Sequence, residues 1–134
     1  MTISKWMHAG TVLKMNARNF PDKLGCQDKF KNFTFREWNE RSCRLANILT
    51  KMGADYGERV AVLAYNRVEW MEIYAGCAKG GQVTVPLMFR LAAPEFTYIT
   101  NHAECKAIIV EESFVDISVR WVPSANGWAK PVAG

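Results

Sequence analysis

The chain has 134 residues, 49% of them hydrophobic and 22% charged, with a formal net charge of +4. Such values are typical of a folded globular domain and exclude a disordered or fibrous chain. The basic residues form no long run and match no nucleic-acid-binding module, so the sequence does not favour a nucleic-acid partner.

The first quarter of the sequence predicts a helix followed by a short hairpin. Apolar residues recur at helical spacing as far as Ala17, and the turn sequence before Pro21 ends the predicted helix, which covers residues 11–18. Residues 24–28 and 33–35 flank a polar, lysine-rich turn. This arrangement predicts a β-hairpin.

A second helix begins at the clearest local signal in the sequence. Thr34 and Glu37 have the spacing of a capping box, in which the two side chains satisfy unpaired amides at a helix start. The apolar residues that follow recur with the helical period, and Gly53 supplies the left-handed residue that commonly ends a helix. The sequence therefore predicts a helix over residues 35–52.

Three apolar runs then predict strands that are covered on both faces. They lie at residues 59–65, 83–87 and 106–110. Strands and helices that alternate with short connections form a parallel sheet with right-handed crossovers. The predicted fold class is therefore α/β, a three-layer parallel sheet with covering helices.

The two connecting helices have their own start and stop signals. Asn66, with Glu69 three residues later, predicts a capped helix start after the first strand, and the glycine pair at residues 80–81 predicts its end. Pro94 suits the first turn of the second connecting helix.

The character of the sequence changes at residue 117. Residues 117–134 contain no acidic residue and show no sustained period. We therefore expect one domain over residues 1–116 and an irregular tail over residues 117–134. A truncated or frame-shifted gene end would give the same pattern.

The cysteine pattern and the apolar runs bear on where the protein resides. Cys26, Cys43, Cys77 and Cys105 are too far apart in the sequence for a zinc clip or a redox dithiol, so we predict reduced thiols in or near the core. The sequence contains no apolar run of about 20 residues and no signal-peptide centre. We expect a cytoplasmic protein without a transmembrane segment.

Few residues are candidates for chemistry. The glycine-rich residues 76–81 contain a lysine, but they close a predicted helix, whereas a phosphate loop opens one, so a helix terminator is favoured. His8 and His102 have no ligand at metal-binding spacing, and a structural role at a helix end is favoured for His102. Glu111 and Glu112 follow a strand at its carboxyl end, where acid–base work or a solvated turn are the alternatives and the turn is favoured. We predict no catalytic, cofactor-binding or metal-binding residue.

A string of short motifs extends over residues 8–116. The motifs are Phe33-Thr34-Phe35-Arg36-Glu37-Trp38, Arg44-Leu45-Ala46, Gly53, Gly57-Glu58-Arg59-Val60-Ala61, Asn66 with Glu69-Trp70, Ala78-Lys79-Gly80-Gly81, Val85-Pro86-Leu87, Arg90-Leu91 and Pro94-Glu95. In order and spacing, the string resembles the opening region of AMP-binding, adenylate-forming acyl-CoA synthetases such as long-chain fatty acid–CoA ligases. The sequence departs from the family pattern at Glu58, at Met88-Phe89 and at Ala92-Ala93.

The resemblance implies that the chain is the N-terminal portion of an ATP-dependent acyl-CoA ligase. The whole enzyme would use ATP and magnesium to adenylate a carboxylate, then transfer the acyl group to coenzyme A. The family's working parts are a phosphate loop ending in Pro-Lys-Gly, a Tyr-Gly-x-Thr-Glu segment and a lysine on a carboxyl-terminal domain, and none of them occurs in these 134 residues. We therefore expect no cofactor for this chain alone and a structural role within a larger ligase.

Two alternatives stay open at this point. The chain could be a non-catalytic interaction module that self-associates or pairs with a synthetase. It could also be a small binding domain that uses the carboxyl ends of its strands for a ligand.

Overall fold

Helices on both faces of a parallel sheet make up most of the part of the chain that the structure describes, residues 7–121 and 132–133 of a computed structural model. The helices are α1 (Ala9–Asn19), α2 (Phe35–Lys51), α3 (Glu69–Gly80), α4 (Ala93–His102) and α5 (Val115–Trp121), with a 3₁₀ turn at Glu112–Phe114. The strands are β1 (Leu24–Gln27), β2 (Asn32–Thr34), β3 (Arg59–Leu63), β4 (Val83–Pro86), β5 (Cys105–Val110) and β6 (Val132–Ala133).

The main sheet is parallel, as the alternation of strands and helices predicts. Its strand order is β4-β3-β5-β6. In β3, Ala61 lies opposite Val85 of β4 on one side and Ile108 of β5 on the other. The hairpin predicted before α2 is also present, because β1 and β2 pair antiparallel as a separate two-stranded sheet.

Strand β3 lies at the centre of the core and alternates between two hydrophobic clusters. Val60 and Val62 pack with residues of α2 and α3, including Leu49. Ala61 and Leu63 of β3 point to the other face of the sheet and pack with residues of α4. Because successive side chains of a strand point to opposite faces, this alternation confirms a three-layer arrangement, with the sheet between α2–α3 and α4.

Helix α2 starts as its capping box predicts. Thr34 Oγ1 accepts a hydrogen bond from the Glu37 amide at 3.2 Å. An Arg41–Glu72 ion pair joins α2 to α3, and Gly76 of α3 lies against α2, where an added Cβ would be 3.1 Å from Leu45 Cδ2. A side chain at this position would have to displace its neighbours by a few tenths of an ångström, whereas glycine fits without displacing them.

Helix α1 is longer than its predicted span of residues 11–18. It begins at Ala9 because His8 acts as its N-cap, with Nδ1 accepting from the Gly10 amide at 3.1 Å. Leu13 is its most deeply buried side chain, 3% exposed. The prediction missed this start because a histidine ring is an uncommon cap.

The predicted cap of α3 at Asn66 is wrong. The N-cap is Val68, whose side chain makes no capping hydrogen bond. Its amide instead donates to Asp28 Oδ2 at 2.9 Å, so a residue far away in the sequence holds the segment before α3. The predicted end is confirmed, with Gly81 in the left-handed conformation at φ 77°.

The prediction of irregular backbone from residue 117 is wrong where the structure describes that segment. Helix α5 extends to Trp121, and the short strand β6 pairs parallel with β5. Ser118 shows how the helix is accommodated, since it is buried and donates to the Val115 carbonyl at 2.7 Å. Residues 122–131 and 134 lie outside the described residues.

Within residues 7–121 and 132–133, no helix is long and apolar enough to cross a membrane.

Candidate functional site

A crevice of chemical interest lies where β3 and β4 end. The helix after β3, α3, packs on one face of the sheet, and the helix after β4, α4, packs on the other. The carboxyl ends of parallel strands form the edge at which open α/β sheets bind ligands. The crevice has a volume of about 550 Å³ and is lined by Ala64, Asn66, Arg67, Trp70, Tyr74, Pro86, Leu87, Met88 and Phe89.

The walls of the crevice are mainly aromatic and apolar. The rings of Trp70 and Tyr74 lie 5.5 Å apart, and Trp70 Nε1 donates to the Tyr65 carbonyl at 2.8 Å, which fixes the indole. Met88 is 62% exposed at the rim. Such a lining suits an apolar or planar group, or a covering protein segment.

A three-ring cluster ties together the loops that follow β3, β4 and β5. The Tyr65 ring lies 4.8 Å from Phe89 and 4.7 Å from Phe114 between centroids. Tilted aromatic pairs at these distances are favourable. The cluster therefore holds the carboxyl edge of the sheet in one arrangement.

An ion-pair network lies beside the crevice. It includes Arg67, which is also one of the residues that line the crevice. Arg67 Nε is 2.9 Å from Glu69 Oε2, and Arg67 Nη1 is 3.4 Å from Glu111 Oε1. Lys31 Nζ contacts the other oxygen of Glu69 at 2.8 Å. The Arg67 guanidinium is therefore already paired with two carboxylates when no ligand is bound.

The same network sets the charge states of its carboxylates. Burial alone would raise the pKa of Glu69, but hydrogen bonds from Arg67 and Lys31 outweigh burial and lower the pKa to about 2. The pKa of Asp28 is lowered by hydrogen bonds from the amides of Val68, Phe30 and Lys31. Both side chains are therefore negatively charged at neutral pH and act as structural anchors.

Of the two carboxylates predicted after β5, only Glu111 joins this network. Its Oε2 accepts from the Tyr65 amide at 2.8 Å, and its side chain is 15% exposed, so the predicted solvated turn is wrong for this residue. Glu112 is exposed at the start of the 3₁₀ turn. The two acids do not form an acid–base pair at one site.

The histidines and the glycine-rich segment have structural positions. His8 caps α1, and the His102 ring stacks on Tyr98 at the end of α4 with 5.6 Å between centroids. The glycines at residues 80–81 close α3, as predicted. Their amides do not open a helix, which is the geometry that binds phosphate.

The cysteines differ in exposure. Cys77 and Cys105 are buried, as predicted, and burial raises the pKa of both thiols, that of Cys105 to about 11. Cys43 is exposed on α2, so its predicted place in or near the core is wrong. Among the residues that the structure describes, no three His, Cys, Asp or Glu side chains lie close enough to hold a metal ion.

Sequence reasoning missed two residues that organise this edge. Arg67 follows β3 just as Glu111 follows β5, so the rule that drew attention to Glu111 also applies to Arg67. Asp28 gave no such signal, because it lies on the hairpin turn and reaches Val68 only through the tertiary fold.

Comparison with known proteins now defines the class. Residues 13–130 match the family model described as AMP-binding enzyme. The chain is 41% identical over 76 residues to the long-chain-fatty-acid–CoA ligase FadD13 of Mycobacterium tuberculosis, which covers 57% of this chain and 15% of that protein. The chain belongs to the AMP-binding enzyme family.

Solved structures agree with the sequence matches. A putative long-chain-fatty-acid CoA ligase from Rhodopseudomonas palustris superimposes with a TM-score of 0.88 at 28% identity, over 96% of this chain and 33% of that one. The N-terminal domain of FACL13 from Mycobacterium tuberculosis gives a TM-score of 0.84 at 27% identity, over 93% of this chain and 33% of that one. The fold is therefore that of the N-terminal part of an acyl-CoA ligase, and the chain spans a third or less of the length of these relatives.

Proposed function

We propose that this chain is the N-terminal portion of an ATP-dependent acyl-CoA ligase, in which it supplies scaffold and a fixed sheet edge while other parts of the ligase supply the chemistry. Residues 1–116 would be the scaffold portion, and the remainder of the synthetase would be the partner. A cytoplasmic location accords with this role. What supports the proposal is the match of residues 13–130 to the AMP-binding family, together with a carboxyl edge that ion pairs and packed aromatic rings hold in place.

ATP and magnesium do not fit the residues at this edge. Phosphate binding needs free amides or an available cation, but Arg67 already pairs with Glu69 and Glu111. A magnesium ion would need free oxygen ligands, whereas Asp28 accepts three backbone amides. We therefore assign ATP, magnesium and coenzyme A to the whole ligase and none of them to these 134 residues alone.

Inactivity of the chain alone can be tested directly. Calorimetry with ATP and a fatty acid should give no heat of binding for either, and an ATP–pyrophosphate exchange assay with both present should give no exchange. Positioning and charge stabilisation supply most of the rate in such chemistry, and the motifs that provide them lie outside this sequence. Formation of acyl-adenylate by the purified chain would contradict the proposal.

The scaffold role needs a positive test as well. Residues 8–116 should replace the matching segment of the FadD13 relative and give a chimera that forms acyl-adenylate. The control is the same relative without the segment, which should be inactive. A chimera that folds, by circular dichroism and gel filtration, yet forms no adenylate would contradict the scaffold role.

One observation favours a second candidate, a non-catalytic module that self-associates. Within the described residues, the outer edge of β4 pairs with no strand, and Val83 on that strand is 49% exposed. An open, apolar sheet edge tends to pair with another copy. Light scattering should show a monomer if the chain is only scaffold, whereas a dimer that Val83→Lys dissociates would favour this second candidate.

A further inference from the structure

We propose that the first turn of α1 is held by a pH-sensitive cap, which forms while the His8 imidazole is neutral and is lost when the ring gains a proton. The cap is the hydrogen bond from the Gly10 amide to His8 Nδ1, and it is called the His8 cap below. Neither residue lines the crevice at the carboxyl edge. The His8 cap therefore does not depend on the ligase chemistry.

The geometry of the His8 cap requires one particular form of the ring. His8 Nδ1 lies 3.1 Å from the Gly10 nitrogen and accepts its hydrogen. A ring nitrogen that accepts carries no proton, so the proton of the neutral ring lies on Nε2. In the protonated ring both nitrogens carry protons and both are donors. The Gly10 amide therefore loses its acceptor when His8 is protonated.

The position of His8 at the start of a helix acts in the same direction. The first amides of a helix carry a partial positive charge, which makes a cation at that end unfavourable. The first turn of α1 contains no acidic residue that would offset such a cation. A protonated His8 is therefore repelled from the place that the neutral ring occupies.

The charged groups around His8 are cations as well. A recess of about 510 Å³ beside His8 is lined by residues of α1, α2 and α3. Its charged side chains are Lys14 of α1 and Lys79 of α3, and the titratable side chain from α2 is the Cys43 thiol. Among the residues that the structure describes, no carboxylate lines this recess. Protonation of His8 would place a third cation there without an anion to balance it.

The His8 cap is coupled to the packing of α1 on α3. Gly10 is buried, and its carbonyl accepts a hydrogen bond from Lys79 Nζ at 3.3 Å. A Cβ added at Gly10 would lie 2.6 Å from Lys79 Cγ and 3.0 Å from His8 Nδ1. The Gly10 backbone is therefore enclosed between these two side chains. Because of this enclosure, loss of the cap should loosen the contact between the start of α1 and α3.

The composition of the chain makes the effect assignable to one side chain. Histidine is the side chain that ordinarily changes charge between pH 5 and 8, and the chain contains two histidines. His8 is exposed, so solvent can deliver a proton to its ring. His102 lies at the end of α4 and stacks on Tyr98. It provides the matched control.

The test uses the full 134-residue chain labelled with nitrogen-15 and observed by NMR. At pH 7.5 the side-chain spectrum should show the neutral His8 ring with its proton on Nε2. The protection factor of the Gly10 amide, which compares its hydrogen exchange with that of an unstructured peptide at the same pH, should be about fivefold higher at pH 7.5 than at pH 5, since an N-cap stabilises a helix start by about that factor. The amides of Val60 and Val62 in the core should keep their protection factors.

Three variants separate the His8 cap from other effects of pH. His8→Asn supplies a capping oxygen that does not titrate, so Gly10 should be protected equally at both pH values. His8→Ala has no acceptor and should give low protection at both. His102→Asn should retain the pH dependence of the wild type. Circular dichroism shows that each variant is folded.

Several results would overturn the proposal. It is wrong if the proton of neutral His8 lies on Nδ1, if wild-type Gly10 keeps its protection at pH 5, or if the pH dependence persists in His8→Asn or disappears in His102→Asn. An equal loss of protection at Val62 in acid would show global destabilisation in place of a local change and would also contradict it. None of these outcomes bears on adenylation, so the proposed function is tested separately.

Discussion

Strand β3 and the carboxyl edge that it leads into are adjacent in the chain but are stabilised in different ways. Residues Val60 to Leu63 are all 0% exposed and pack against apolar side chains on both faces. A few residues later, Arg67 is held by ion pairs to Glu69 and Glu111. Strand β3 is stabilised by close packing of apolar side chains away from water. The carboxyl edge is stabilised by ion pairs between side chains that remain partly exposed to water.

The difference indicates which region sets the stability and which sets the shape of the site. Close-packed apolar side chains contribute most of the free energy of folding, whereas partly exposed ion pairs contribute about 0–1 kcal/mol each. The core should therefore tolerate truncation poorly. The edge should lose its geometry before the chain loses its fold.

The largest effect is expected in the core. Leu63→Ala should lower the free energy of unfolding by about 2–5 kcal/mol, because it leaves a cavity in a fully buried site. Leu24, which is 53% exposed, provides the matched control, and Leu24→Ala should change stability by less than about 0.5 kcal/mol. Urea unfolding followed by tryptophan fluorescence measures both. Equal losses in the two variants would show that burial in β3 does not set the stability.

A smaller loss is expected where α3 approaches α2. Gly76→Val should cost about 1–3 kcal/mol, because its side chain would overpack against Leu45 and the Ser42 carbonyl, each 3.1 Å from an ideal Cβ. Ala78→Val, on the partly exposed side of the same helix, controls for helix propensity. The same urea measurement applies, and a Gly76→Val protein as stable as wild type would show that the contact can relax.

The cap of α2 should have an intermediate effect. Thr34→Ala removes the acceptor of the Glu37 amide and should cost about 1 kcal/mol, whereas Thr34→Ser should retain most of the stability. Thermal unfolding by circular dichroism distinguishes the two variants. If serine fails to restore what alanine loses, the hydroxyl is not the stabilising group.

The smallest effect concerns the edge and depends on pH. Because the pKa of Glu69 falls from 4.5 to about 2 in the folded chain, its contribution is complete above pH 4.5 and is lost as the pH falls towards 2. Solvent screens this partly exposed pair, so we expect the stability difference between wild type and Glu69→Gln at neutral pH to be about 1 kcal/mol, well below what the pKa shift alone implies. That difference should shrink over the same pH interval. Urea midpoints at several pH values measure it. A difference that grows in acid would contradict the assigned pairing.

The core was the more predictable of these two regions. Uninterrupted apolar runs such as the one in β3, and local signals such as Thr34 with Glu37 and the Gly81 terminator, require only neighbours in the sequence. They fixed the order of the strands along the chain, the class of the sheet and most helix ends. The parallel α/β fold followed from those signals.

The edge was harder to predict because its determinants are distant in the sequence. Asp28 lies 40 residues from Val68, the amide it accepts from, and this contact displaced the predicted start of α3. Glu111 resembled a solvated turn residue until Arg67 and the Tyr65 amide were placed beside it. Short-range rules cannot assign such partners, since the tertiary fold brings them together.

The position of Cys43 gives the molecule a natural attachment point for a reporter. It is exposed and borders the groove shared with His8 and Lys14, whereas two of the other thiols are buried and the pKa of Cys26 is raised to about 11 by burial and by the nearby Glu72. Because the thiolate is the reactive form, a maleimide dye should label Cys43 first without any engineered cysteine. The emission of a fluorophore on Cys43 would report whether α1 remains packed against α2 or separates from it.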